Sequence, residues 1–306
     1  MNKLKTEFKK KSLQRALVIG GGGALGNAWL IGVISGLFDG GLDVTQADLI
    51  IGTSAGSTTA VQISSETPPP EIFSNIVSEV HQRRMLSTES DTGRTPNRRA
   101  VNHMETTNAI INAAVDLHDM RRKIGAWALA NEVMSSDSAQ AQWRATVAAR
   151  LPSHHWPERR LLITAVNAYT GEPVIFDRDS GVDLVDAVAA SCAGGFAYRI
   201  GETRYIDGGY RANADNADLA AGHNRVLILS PFGGRSRTPV NWGTHLTTQI
   251  SELRANGGTV ETIFPDHAAL DAFGDSMMDL SRRSPSARAG YNQGKALAEP
   301  LIVFWR

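Results

Sequence analysis

The pentapeptide Gly52-Thr53-Ser54-Ala55-Gly56 sets a serine between two glycines. An apolar stretch, Leu49 to Ile51, runs into it, and a helix-compatible stretch, Ser57 to Ser64, leaves it. A hydroxyl on such a sharp strand-to-helix turn is presented for nucleophilic attack. It needs small neighbours, because the backbone there is strained and adjacent turns approach closely. The N-terminus of the helix behind it favours developing negative charge. The structural alternative is a serine in an ordinary glycine-flanked turn, and the pentapeptide alone does not separate the two.

A second turn with chemical potential is Gly21-Gly22-Gly23-Ala24-Leu25-Gly26, preceded by Gly20 and again lying between a strand and a helix. One reading is a dinucleotide-binding turn, which requires an acid at the end of the next strand to hold a ribose. That strand ends at Gly52, and Asp48 stands at its start instead. The other reading is an oxyanion hole, in which consecutive glycine N–H groups face a carbonyl oxygen as it becomes negative. A third element, Ile206-Asp207-Gly208-Gly209, closes the strand read at Arg204 to Ile206 with a carboxylate and two glycines. In isolation Asp-Gly-Gly marks a turn. At a strand end it can also bring a base to the same edge of a sheet as Ser54.

In this order, glycine-rich loop, Gly-x-Ser-x-Gly and Asp-Gly-Gly, the chain resembles the patatin-like phospholipase family from about Arg15 to the late helices. The stretch Asn216 to Leu229 (NADLAAGHNRVLIL) is similar to the segment after the family's aspartate in bacterial members. The resemblance implies a three-layer α/β/α fold with a mostly parallel sheet and lipid acyl hydrolysis by a Ser-Asp dyad. It makes Ser54 the nucleophile, Asp207 the base, and Gly21, Gly22 and Gly23 the oxyanion donors. Two positions depart from the family pattern: Leu25 stands where many members carry Arg or Lys. Ser191-Cys192-Ala193-Gly194-Gly195 lacks the proline that often comes after that serine.

Eight histidines could supply a triad, and chain order allows His223, His245 or His267 to follow an acid as in α/β-hydrolases. None sits at a distinctive motif, so each reads as a surface or satisfied histidine. His154-His155 lies in a polar connector without an acid at ligand spacing and reads as loop. Cys192, the single cysteine, reads as a small buried residue, and Trp127 and Trp143 as packing aromatics.

The elements that must position these residues follow from the apolar pattern. Arg15 to Ile19 reads as a buried strand, Ala28 to Phe38 as a helix apolar on nearly every face that stops at Asp39-Gly40-Gly41, and Leu49 to Ile51 as a second strand. Strand, helix, strand, helix in this order implies parallel strands. From about Glu71 to Leu151 the pattern becomes helical, interrupted by the polar run Ser87 to Asn97, and this stretch reads as a helical insertion. Strands resume at Leu161 to Val166, Val174 to Phe176, Arg204 to Ile206, Arg225 to Leu229 and Val260 to Ile263. Helices are expected at Val182 to Ser191 and Thr247 to Ala255, and over much of His267 to Leu297.

The expected organisation is a basic flexible tail over 1–14, then one catalytic domain over 15–306 carrying the insertion at about 71–151. Lys3, Lys5, Lys9, Lys10, Lys11 and Arg15 precede an uncharged stretch, which imitates a signal peptide or a membrane span. Seven glycines between Ala16 and Phe38 argue against both. Lys+Arg and Asp+Glu are both 31 of 306 residues, so no global field recruits nucleic acid. The expected partner is a lipid or fatty-acyl ester, with peripheral membrane contact, no nucleic acid and no cofactor, in a cytoplasmic setting. Two other function classes remain open on sequence: a nucleotide-binding protein using the glycine loop, and a binding protein without turnover.

Overall fold

The computed structural model describes residues 14–86 and 97–306, with side chains for 14–78 and 103–306. Except for Gln14, the basic tail lies outside the described residues, as does nearly all of the polar run Ser87 to Asn97.

Apolar runs too short for helices become the strands. In chain order these are β1 (Arg15–Ile19), β2 (Leu49–Gly52), β3 (Arg160–Asn167) and β4 (Pro173–Phe176), then β5 (Tyr198–Ile200), β6 (Thr203–Asp207), β7 (Arg225–Leu229) and β8 (Thr259–Ile263). They form one sheet in the order β5-β6-β3-β2-β1-β7-β8, with β4 paired to β3. β3, β2, β1, β7 and β8 are mutually parallel. β4 and β6 run antiparallel to β3, and β5 antiparallel to β6. The sheet is thus mostly parallel, with an antiparallel end that carries Asp207.

Side chains alternate across a strand, and here both faces are buried. Leu17, Ile19, Ile50, Ile163, Leu227 and Leu229 pack on one side with α1 (Gly23–Asp39), α8 (Leu184–Ser191) and α11 (Arg283–Trp305). Ala16, Val18, Ile51, Val226 and Ile228 pack on the other with α9 (Leu246–Ala255) and the short 3-10 turn Ala217–Ala220. The result is the three-layer α/β/α arrangement.

α1 is buried continuously from Leu25 to Leu37, as expected of a helix apolar on every face. It lies close against α11. A Cβ at Gly32 would collide with the Ala287 carbonyl, and one at Gly290 with that of Trp29. Between β2 and β3 come α2 (Ala55–Ile63), α3 (Pro69–Leu86), α4 (Asn97–Ala113), α5 (Leu117–Leu129), α6 (Glu132–Ser135) and α7 (Asp137–Ala148), with no strand among the described residues. Ile111 of α4 and Met120, Ile124 and Ala128 of α5 share a core with Val166, Ile206 and Tyr210. α4 and α5 therefore seat on the antiparallel end of the sheet, next to Asp207, while α3 packs on α1 and α11.

Two helix ends and one strand differ most from the sequence reading. α1 begins at Gly23, five residues early, because Gly23 takes a positive φ of 63° and the glycine loop itself turns into the helix. α11 continues to Trp305, since Leu301 and Trp305 are buried in the same core. β5 was not expected: it is only three residues long, with Arg199 exposed. The remaining helix, α10 (His267–Phe273), falls within the expected late helical stretch.

Candidate active site

Ser54 caps α2 with φ 52° and ψ −123°, a left-handed conformation that costs a non-glycine residue of the order of 1–3 kcal/mol. Its surroundings hold it there. The Ser54 N–H donates to Ser191 Oγ at 2.9 Å, and its carbonyl accepts from Ser57 Oγ at 2.6 Å. The flanking glycines are spatial requirements. A Cβ at Gly56 would collide with the Ile19 carbonyl, and one at Gly52 would stand 2.6 Å from Ser57 Cα.

Asp207 is the last residue of β6, where its N–H donates to the Ala193 carbonyl at 3.0 Å. Its Oδ1 accepts from Gly209 N–H at 2.8 Å and its Oδ2 accepts from Ser54 Oγ at 2.6 Å. Burial pushes this carboxyl up to about 6, against the hydrogen bonds from Ser54 and Gly209, which favour its charged form. A short, charge-assisted bond between a hydroxyl and a carboxylate poised near neutrality is what proton removal from the hydroxyl requires.

The glycine loop follows β1, parallel to and beside β2. The Gly21 N–H donates to the Ala214 carbonyl at 2.8 Å, so Gly21 is spoken for and is corrected out of the expected donor set. The N–H groups of Gly22 and Gly23 make no hydrogen bond among the described residues, and both glycines line the cavity that holds Ser54 and Asp207. Asp48 Oδ2 accepts the Arg15 N–H at the start of β1, the opposite end of these strands from the loop.

The cavity measures about 630 Å3. Met104, Ile111, Met120 and Phe232 give it an apolar wall, and Arg235 and Arg237 stand at its edge. Trp127, one of the two packing tryptophans, lies tilted against His103 with 5.2 Å between ring centroids. Trp143 donates its Nε1–H to the Ala189 carbonyl at 3.0 Å.

Four residues of this site were given no role by the sequence. Ser191 fixes the Ser54 amide. Asn216, itself left-handed at φ 54°, donates from Nδ2 to Thr53 Oγ1 and to the Gly208 carbonyl, both at 3.0 Å. His103 lines the cavity, with Nε2 3.3 Å from Tyr210 Oη, and burial and nearby Arg237 lower its pKa. Asp215 is buried behind the glycine loop. The histidines considered for a triad sit elsewhere: His223 and His245 contact the carbonyls of Ala220 and Thr238, and none of His223, His245 and His267 lines the cavity. Among the described residues no cluster of His, Cys, Asp and Glu suits a metal ion, and no helix is long and apolar enough to cross a membrane.

A fold of this kind with these three turns at one sheet edge defines a family of hydrolases. A patatin-like phospholipase family model matches residues 17–220, more than half of the chain. The protein belongs to the patatin-like phospholipase family, whose activity is the hydrolysis of lipid acyl esters. No curated protein matches it. Among solved structures, VipD from Legionella pneumophila is 13% identical, covering 94% of this chain and 67% of its own, with a TM-score of 0.40. The type III effector ExoU is 14% identical over 92% of this chain and 53% of its own, with a TM-score of 0.36. The SpcU–ExoU complex from Pseudomonas aeruginosa gives 16% identity, 96% and 53% coverage, and a TM-score of 0.38. This chain thus spans about two thirds of VipD and about half of ExoU.

Proposed function

We propose that the protein is a serine lipid acyl hydrolase, of phospholipase A, lysophospholipase or carboxylesterase type, working through a Ser54-Asp207 dyad. The observation that carries this reading is the 2.6 Å bond from Ser54 Oγ to Asp207 Oδ2 inside a partly apolar cavity. Asp207 accepts the hydroxyl proton as Ser54 Oγ forms its bond to the ester carbonyl carbon. The Gly22 and Gly23 N–H groups receive the oxyanion, and the same proton then leaves with the alcohol. Water, deprotonated by Asp207, attacks the acyl-serine and releases the fatty acid. No step calls for a cofactor. Residues 15–306 act as one catalytic unit, with α4 and α5 of the 71–151 stretch forming the wall against which the acyl chain lies. The substrate is a lipid or fatty-acyl ester met at a membrane surface or in solution.

The test is labelling with a fluorophosphonate probe followed by peptide mass spectrometry. The expected result is probe mass on the Ser54 peptide, and loss of both labelling and ester hydrolysis in Ser54→Ala with the fold retained. Labelling at another serine, or full activity in folded Ser54→Ala, overturns the assignment.

A further inference from the structure

Asp215 is a second carboxyl near the site that this mechanism leaves idle. It is 2% exposed, and its Oδ1 has no hydrogen-bond partner among the described residues. That oxygen fills the space beside Gly20 where a side chain would begin, since a Cβ at Gly20 would collide with it. Gly20 opens the glycine loop, and its N–H donates to the Leu229 carbonyl at 2.9 Å. One residue on, Gly21 N–H is held by the carbonyl of Ala214, the immediate neighbour of Asp215. The turn carrying Ala214 and Asp215 is itself fixed by Asn213 Oδ1, which accepts the N–H groups of Asp215 and Asn216, both at 2.7 Å.

A carboxylate in this place would be an anion without a cation and with one oxygen unpaired, a costly arrangement in a protein interior. We propose that Asp215 is a positioning residue of the hydrolase: an uncharged carboxylic acid wedged beneath the glycine loop, whose loss of its proton lowers turnover. The inference rests on the reading that Gly22 and Gly23 receive the oxyanion. Two effects act together. An ionised Asp215 places a negative charge behind the loop that must accept another. It also drives the Ala214-Asp215 turn toward water, pulling on the bond that holds Gly21.

The surroundings agree. Asp215 is faced by Gly20 at the end of β1, by Ser230 after β7, and by its own turn. Burial pushes its carboxyl up to about 7, opposed by Ser230, and no charged side chain among the described residues contributes to either effect. Asp218, further along the turn, is already paired with Arg211 at 2.7 Å.

The experiment is the pH dependence of kcat for 4-nitrophenyl butyrate hydrolysis by the full chain, wild type against Asp215→Asn. Wild type should gain activity as Asp207 ionises through about 6 and lose it as Asp215 ionises through about 7. The loss at alkaline pH should be about tenfold, the scale of a like charge at loop distance in a protein interior. Asparagine is neutral throughout, so Asp215→Asn should keep the rise and lose the fall, with KM unchanged. A merely structural role would lower kcat equally at every pH. An alkaline fall identical in Asp215→Asn and wild type overturns the proposal. Infrared difference spectra, wild type against Asp215→Asn, supply a second reading, because a protonated carboxyl band belonging to Asp215 should persist above the pH at which ordinary carboxyls ionise. Its absence at pH 5 also overturns the proposal. Fluorophosphonate labelling of wild-type Ser54 is run in parallel: labelling with an unaltered fall rejects Asp215 alone, and no labelling rejects the dyad and this inference with it.

Discussion

The carboxamide of Asn216 donates to Thr53 Oγ1 at 3.0 Å, one residue ahead of the nucleophile. The same nitrogen donates to the Gly208 carbonyl, one residue past Asp207, so a single side chain ties the serine turn to the aspartate turn. Thr164 Oγ1, donating to Thr53 Oγ1 at 3.0 Å, completes the tie from β3. The separation of Ser54 Oγ and Asp207 Oδ2 is therefore set by groups that never touch substrate.

Asn216→Asp is the informative substitution. Aspartate tolerates the left-handed backbone and keeps the shape, but it puts an acceptor oxygen against the Gly208 carbonyl. Small displacements at a reacting centre cost up to about 100-fold, and a fall in kcat of about 10- to 100-fold is expected with KM little changed. Asn216→Gly, which suits a φ of 54° but has no side chain, should also fail to restore turnover. Steady-state kinetics with circular dichroism as a folding control would decide; wild-type kcat in folded Asn216→Asp removes the tie from the mechanism.

On the proposed dyad, the acid side of the pH profile belongs to Asp207. Its carboxyl is raised by burial to about 6, and the base must be ionised, so kcat/KM should rise as pH increases through about 6. Because the folded value lies above the unfolded value of about 3.9, this residue favours the fold at low pH and loses that contribution as pH climbs toward 6. Asp207→Asn should therefore abolish hydrolysis while raising stability at pH 8 by about 1–3 kcal/mol, readable in urea melts. His103→Ala, whose ring meets Tyr210 instead of Asp207, should keep the same acid limb, as should His223→Ala, His245→Ala and His267→Ala. A histidine variant as inactive as Asp207→Asn would replace the dyad by a triad.

Acyl selectivity should be written in the apolar wall. Each buried methylene is worth about 0.8 kcal/mol, so kcat/KM should climb from two to ten acyl carbons. Met120 lies on that wall and is buried in the helical core behind it. Met120→Trp should shorten the preferred chain, lowering kcat/KM for ten-carbon esters about tenfold or more, the worth of about two buried methylenes, while two-carbon esters change little. A chain-length series of nitrophenyl esters tests this, and an unshifted optimum would take the wall out of substrate binding.

How far the sequence could be read depends on the range of the forces involved. β1 and β7 are found within a residue because a fully buried strand needs an unbroken apolar run, and that is a local property. Ser54 and Asp207 stand out because their turns need glycines at fixed spacing, which is local too. Asn216 opens the stretch similar to the family's post-aspartate segment and Asp215 stands just before it, but neither role could be read there, because they exist only where Thr53 and Gly20 arrive from distant parts of the chain. Gly21 shows the reverse error. It fits the donor pattern, yet the Ala214 carbonyl, almost 200 residues away, claims its N–H. A left-handed asparagine leaves no mark that separates it from any other.

Leu25, just past the glycine loop, gives its N–H to the Met277 carbonyl at 3.0 Å, and the helix it opens is clasped by α11. The loop is thereby finished by chain that is translated after both the serine and the aspartate. On the proposed mechanism, a nascent polypeptide therefore carries Ser54 and Asp207 before its oxyanion site is complete. On that mechanism, hydrolysis waits until Met277 and α11 have emerged and docked on α1.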